Sequence, residues 1–139
     1  MRALVTGATG FVGRRLLDKL TSPVILTRDP VRASEQLARD DITCHGWNPS
    51  EDTPPAEAFD GVDVVFHLAG ESVAKGRWTT AKKKRILDSR VLGTRQLVDR
   101  LATLDTPPAV LVSASAVGFY ASRGDEVLTE QSSAGDRLA

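Results

Sequence analysis

The sequence predicts an α/β fold, a doubly wound parallel sheet with helices on both faces. Short apolar segments alternate with helical stripes along the chain, and a glycine-rich turn follows the first of them. The strongest strand candidate, VDVVFHL, is apolar on both faces, as a strand covered on both sides must be.

The first segment, Ala3 to Val5, is short, β-prone and runs directly into glycines. Behind it, Val12, Leu16, Leu17 and Leu20 keep the spacing of a helix buried on one face, and Ser22-Pro23 ends that helix. Val24 to Leu26 reads as a second buried strand. A weakly helical polar stretch follows at Val31 to Ala38, then a third strand near Ile42 to Cys44. Asn48 to Pro55 is loop, with three prolines among polar residues. The fourth strand spans Val62 to Leu68. From about Thr79 to Leu104, Ile86, Leu87, Val91, Leu97, Val98 and Leu101 trace a long helical stripe, stopped by Asp105-Thr106-Pro107-Pro108. Val110 to Ser113 reads as a fifth buried strand, followed by a polar tail with little reason to fold firmly. Five strands are few for a complete dinucleotide-binding sheet, and Asp136 to Ala139 carries no stop signal. Residues 1–139 therefore read as one C-terminally truncated domain whose substrate-binding part is absent.

Eighteen basic and eighteen acidic residues cancel, which argues against nucleic acid as a partner. Cys44 is the only cysteine, so neither an internal disulfide nor a cysteine metal cage forms. The N-terminus lacks a signal-type apolar region and no run of eighteen apolar residues occurs. A cytoplasmic protein that does not enter a membrane is the expectation; oligomeric state is not readable.

Thr6 to Gly13 carries the spacing G-x-x-G-x-x-G between the first strand and the first helix. Gly7 turns the chain off the strand, Gly10 admits a pyrophosphate close to the backbone, and Gly13 lets helix and strand pack together. The helix N-terminus then offers unpaired N–H groups to the anion. Gly7, Thr9, Gly10, Phe11, Val12 and Gly13 are thus the expected cofactor-contacting turn of a Rossmann-type domain. Arg28, 21 residues after Gly7, closes the second strand at the position facing the adenosine ribose. An arginine there accommodates a 2′-phosphate, which favours NADP over NAD; Asp29 is the rival ribose ligand if the strand end shifts by one.

TGATGFVG at 6–13, HLAGE at 67–71, RWTTAKKKRILDSRVLGT at 77–94, VSASAVGFY at 112–120 and GDEVLTE at 124–130 resemble the extended short-chain dehydrogenase/reductase superfamily. Within it they are most similar to the atypical bacterial "epimerase family" branch. The resemblance covers almost the whole chain. It implies that Leu68, Ala69 and Gly70 lie against the cofactor, and that Ser115 is the catalytic serine that hydrogen-bonds the reacting carbonyl or hydroxyl. Ser113 is the alternative to Ser115 if the register differs. His67 is more simply a histidine packed at a strand end.

The superfamily's partner tyrosine and lysine, in Y-x-x-x-K, usually lie further beyond the serine, about where residues 1–139 stop, and the motif does not occur within them: Tyr120 is the only tyrosine and position 124 is glycine. Arg90 stands where the superfamily often has asparagine, and Phe119-Tyr120-Ala121 replaces the branch's tyrosine-tyrosine-glycine. Catalysis by this chain alone is therefore not expected.

Lys75, Arg77 and Lys82 to Arg85 form the one local charge excess, with no acid between Glu71 and Asp88. A solvated lysine face is the plain reading. A phosphorylated substrate or the diphosphate of a sugar nucleotide is the sharper one, and Trp78 among them reads as a packing anchor. The expected function is NADP-dependent epimerase, dehydratase or carbonyl-reductase chemistry on a small substrate. The alternative is a non-catalytic NADP-binding module that reports redox state.

Overall fold

Ala3-Leu4-Val5-Thr6, Val24-Ile25-Leu26-Thr27 and Val64-Val65-Phe66-His67 are runs of aliphatic and β-branched residues, and each forms a central strand with almost no exposed surface. A computed structural model describes residues 1–74 and 76–135. The elements are β1 (Ala3–Thr6), α1 (Phe11–Leu17), β2 (Val24–Thr27), α2 (Pro30–Leu37), β3 (Thr43–Gly46), a 3₁₀ turn (Ala56–Phe59), β4 (Val64–His67), α3 (Thr80–Ala102), β5 (Val110–Ser113) and a second 3₁₀ turn (Val117–Tyr120).

The strands pair in parallel in the order β3-β2-β1-β4-β5. The doubly wound sheet is thus the one the sequence predicts. The chain steps outward from β1 through β2 to β3, then crosses back to start β4 on the other side of β1. That reversal leaves a crevice at the carboxyl ends of β1 and β4, because the connections leaving the two strands diverge to opposite sides.

Successive strand residues point to opposite faces, so each central strand feeds two cores. Leu4, Val24, Leu26 and Val65 pack with Trp47, Phe59 and Leu97, which puts α3 and the first 3₁₀ turn on one face. Val5 and Ile25 pack with Ala8 and Leu17, joined by Leu37 and Phe66, which puts α1 and α2 on the other.

Several boundaries differ from expectation. Helix α1 stops at Leu17, three residues before Leu20, and the chain closes with the shorter bonds Lys19 N–H to Leu16 O and Leu20 N–H to Leu17 O. The Arg39 guanidinium donates to the carbonyls of Leu17 and Leu20, and its bond to Asp41 holds that carboxyl far below the usual range. A side chain distant in sequence therefore caps this helix. Strand β3 lies slightly later than predicted and ends at Gly46, which brings Trp47 to its carboxyl end. Helix α3 starts one residue after Thr79, whose hydroxyl accepts from Lys82 N–H as an N-cap.

The largest difference is β5. It has the predicted limits, but Val110, Leu111 and Val112 are 50%, 37% and 44% exposed, not buried. Strand β5 is an edge strand with β4 as its only strand neighbour among the described residues. The polar segment beyond it is held more firmly than predicted: Arg123 donates to Ser133 O at 2.6 Å and Gly135 N–H to Phe119 O at 2.9 Å. No helix among the described residues is long and apolar enough to cross a membrane.

Candidate functional site

The crevice at the β1–β4 reversal is a cavity of about 310 Å³, within the roughly 300–1,000 Å³ of small-ligand sites. Its floor is Ile25 and Leu26, one wall is the turn Gly7 to Gly10, and the facing wall is Leu68 to Glu71. Thr27 and Arg28 border it from β2, Trp47 to Ser50 from the end of β3, and Arg85 and Ser89 from α3.

Gly7 makes the close approach of the two walls possible. Its φ is +71°, and a Cβ there would lie 2.8 Å from both the carbonyl carbon and the oxygen of Leu68. Gly13 sits under the turn, where a Cβ would lie 2.3 Å from Gly7 O and 2.7 Å from Ala8 Cα. Glycine is thus required at both places by backbone contact, leaving a cradle that a side chain would fill. Phe11 and Val12 lie on the first turn of α1 with their side chains 82% and 62% exposed, outside the cavity. No side chain caps this end of α1, so its first amides stay open.

A buried hydroxyl ties the walls together. The Thr6 Oγ1 accepts from the backbone N–H groups of Leu68 at 3.1 Å and Ala69 at 3.0 Å. With both lone pairs engaged, its own proton goes to His67 Nδ1, 2.8 Å away. The imidazole must then carry its proton on Nε2, which donates to Thr94 Oγ1 on α3 at 3.2 Å. Burial at 3% exposure pushes the His67 pKa down and keeps the ring neutral. His67 is therefore the packed strand-end histidine expected from the sequence, and Trp47 lies 6.2 Å from it between ring centroids.

Helix α3 holds the Gly70–Glu71 wall by three contacts. Ser89 Oγ accepts from Glu71 N–H at 2.9 Å, Arg90 donates to Glu71 O at 3.2 Å, and Lys82 Nζ meets Glu71 Oε1 at 2.6 Å. That lysine bond holds the Glu71 carboxyl below its ordinary pKa, with Arg85 and Arg28 adding a smaller electrostatic effect. Arg90, the departure from the superfamily's asparagine, thus anchors the loop that faces Gly7.

Arg28 and Asp29 have different surroundings. Asp29 Oδ1 accepts from Arg32 N–H at 3.0 Å and caps α2, whereas the adjacent Arg28 borders the cavity. Ser113 ends β5 in register with His67, and Ser115 lies two residues beyond; both are exposed and outside the cavity. The basic block is not a uniform solvated face. Lys82 is 5% exposed and paired with Glu71, Lys84 pairs with Asp88, and Arg85 borders the cavity. Trp78 is 61% exposed and donates to Val73 O, so it is no packing anchor. Sequence reasoning did not find Trp47 to Ser50, Glu71 or Ser89, and it named Arg85 only as one of the basic block. The position of Trp47 just past a strand end was the one available signal.

A parallel sheet whose first βα turn and reversal point frame a glycine-lined cavity defines a Rossmann-type dinucleotide-binding protein. Residues 3–136 match the model of the NAD dependent epimerase/dehydratase family, and the chain belongs to that family. It is 36% identical over 140 residues to the epimerase family protein YfhF of Bacillus subtilis, covering 98% of this chain and 44% of that protein. It is also 36% identical over 146 residues to the chloroplastic epimerase family protein SDR39U1 homolog of Arabidopsis thaliana, covering 100% of this chain and 41% of the other. The chain thus spans less than half the length of these relatives. Among solved structures, human epimerase family protein SDR39U1 (isoform 2) with NADPH superposes with a TM-score of 0.74 at 25% identity, covering 99% of this chain and 44% of that one. A UDP-glucuronic acid 4-epimerase from Bacillus cereus shares the fold, with a TM-score of 0.73 at 19% identity over 94% of this chain and 44% of its own.

Proposed function

We propose that residues 1–139 are the NADP-binding part of an enzyme that interconverts hydroxyl and carbonyl groups on a small substrate, by epimerase, dehydratase or reductase chemistry. The observation that carries this reading is the cavity at the β1–β4 reversal, glycine-lined on one wall and bordered by Arg28 at the ribose end. Gly7, Thr9 and Gly10, with the open amides of Phe11 to Gly13, would hold the pyrophosphate. Leu68, Ala69 and Gly70 would bound the adenosine, and Arg28 would meet the 2′-phosphate. When bound, the nicotinamide supplies the hydride acceptor or donor. The protein orients it and excludes water from its binding face.

Support for NADP comes from Arg28 itself and from the human relative, which was solved with NADPH. Ser115 is the proposed polarising hydroxyl, with Ser113 beside it. Its support is its place beyond β5, whose end is held against β4 by Ala114 N–H to His67 O at 3.0 Å. A phosphorylated substrate or sugar nucleotide suits the family and the cations near the cavity. A cytoplasmic site of action suits the single free thiol, Cys44.

Titrating NADPH and NADH separately into the protein, with Arg28→Asp as control, tests the cofactor reading. NADPH is expected to bind more tightly, and Arg28→Asp to reverse the preference. Equal affinities in the unmodified protein refute the role of Arg28.

A second reading, a non-catalytic NADP-binding redox sensor, is suggested by the departures from the superfamily's residues at Arg90 and at Phe119-Tyr120-Ala121. It predicts stoichiometric NADPH binding with no turnover on any carbonyl or sugar-nucleotide substrate.

A further inference from the structure

We propose that Arg85, on the second turn of α3, is a second specificity-determining residue of this cavity, forming with Arg28 a two-arginine clamp for the 2′-phosphate of NADP. The inference rests on the reading that this cavity holds NADP and extends it to a residue on a different element.

Lys82 turns inward to Glu71 at 2.6 Å, and Lys84 is drawn to Asp88 one turn further along the helix. Arg85 instead borders the cavity together with Ser89, four residues on and therefore on the same helix face. Arg28 borders it from the end of β2. The two guanidinium groups thus reach one cavity from separate elements, and the Glu71 carboxylate lies within the electrostatic reach of both.

Charge balance indicates what belongs between them. Glu71 is paired with its own lysine, and no ion pair among the described residues involves Arg28 or Arg85, the two arginines lining the cavity. A phosphate monoester carries about −1.5 to −2 at neutral pH. A bare 2′-hydroxyl offers no such compensation, and two arginines facing it would only repel each other. Guanidinium groups are also suited to this ligand, because each presents paired N–H donors to two phosphate oxygens. Both side chains are exposed, so neither position is constrained by the core and either can be changed without disturbing the fold.

The test is a set of binding titrations on the full chain with NADPH, NADH, 2′,5′-ADP and 5′-ADP. The proteins are the unmodified chain, Arg28→Gln, Arg85→Gln, Arg85→Lys and the double glutamine variant. Arg85→Gln is expected to weaken NADPH and 2′,5′-ADP about tenfold (~1.4 kcal/mol) while NADH and 5′-ADP are unchanged. Arg85→Lys should restore part of the loss, and the double variant should bind NADPH and NADH alike. If Arg85→Gln leaves NADPH binding untouched while Arg28→Gln weakens it, the clamp is wrong and the NADP reading stands. If Arg85→Gln weakens all four ligands equally, Arg85 serves the adenine or the fold and the clamp is again wrong. If the unmodified chain does not distinguish 2′,5′-ADP from 5′-ADP, the NADP reading itself fails and the clamp with it.

Discussion

Replacing Thr6 by valine keeps the shape of the side chain and removes only the hydroxyl, so it isolates the bond that joins the cavity walls. Thr6 is fully buried. Leu68 N–H keeps a second acceptor, the Thr6 carbonyl at 3.3 Å. Ala69 N–H and His67 Nδ1 lose the partner they have. Each buried polar group left unsatisfied costs about 1–3 kcal/mol, and the added methyl returns about 1 kcal/mol. A net loss of about 1–5 kcal/mol follows, or several degrees in Tm at roughly 3–5 °C per kcal/mol for a chain of this size. Thr6→Ser keeps the hydroxyl and loses one methyl group, for about 1 kcal/mol. The prediction is therefore an inversion of the usual core rule: the volume-conserving valine should be worse than the smaller serine. Urea denaturation of the three proteins measures it. NADPH titration adds a second readout, because valine frees the Leu68–Ala69 wall and serine does not. If valine is as stable as the unmodified chain, or serine is the less stable variant, the hydroxyl is not what holds the walls.

The remaining predictions concern the same two walls. Gly13→Ala forces a methyl group to within 2.3 Å of Gly7 O, against backbone that cannot yield without moving the turn. A loss of at least ~2 kcal/mol by urea midpoint and loss of NADPH binding are expected, and an alanine variant of normal stability would contradict the packing. His67 has a folded-state pKa below its ordinary 6.5. Between those two values the unfolded chain binds more protons than the folded one, so stability is full above pH 6.5 and declines as pH falls below it. Denaturant midpoints from pH 8 to pH 5.5 check this; a His67→Asn variant, which keeps an acceptor for Thr6, should lose most of the slope over that range.

What was legible in the sequence was what neighbouring residues decide. The glycines, the apolar runs of β1, β2 and β4, and the Arg28 position all follow from spacing along a few residues, and Gly7, Gly10, Ile25, Leu26 and Arg28 line one cavity. The choice between Arg28 and Asp29 was a matter of register. The structure gives the two different surroundings: Asp29 Oδ1 accepts from Arg32 N–H at the N-cap of α2, and Arg28 borders the cavity. The buried expectation for β5 failed because an apolar run does not state a strand's place in the sheet: among the described residues β5 is an edge strand, and Val110 to Val112 are exposed on it. Ser113 and Ser115 share that circumstance, standing exposed at the end of an edge strand in a chain that spans 44% of a relative's length.

The contacts that escaped notice have a different cause. Lys82 reaches Glu71 across eleven residues, Arg90 reaches it across nineteen, and Thr94 reaches His67 across twenty-seven. None of these contacts has a local signature, because each depends on where the β4–α3 connection returns the helix. Once α3 crosses above the β1–β4 reversal, its phase decides the rest. Positions 82, 89, 90 and 94 turn toward the loop and the histidine, and positions 85 and 89 border the cavity. A run of cations that looks uniform in sequence thus has members with different surroundings in the fold. That difference makes the Arg85 proposal separable from the fold: the residues that hold the wall are satisfied within the protein, and Arg85 is left to meet a ligand.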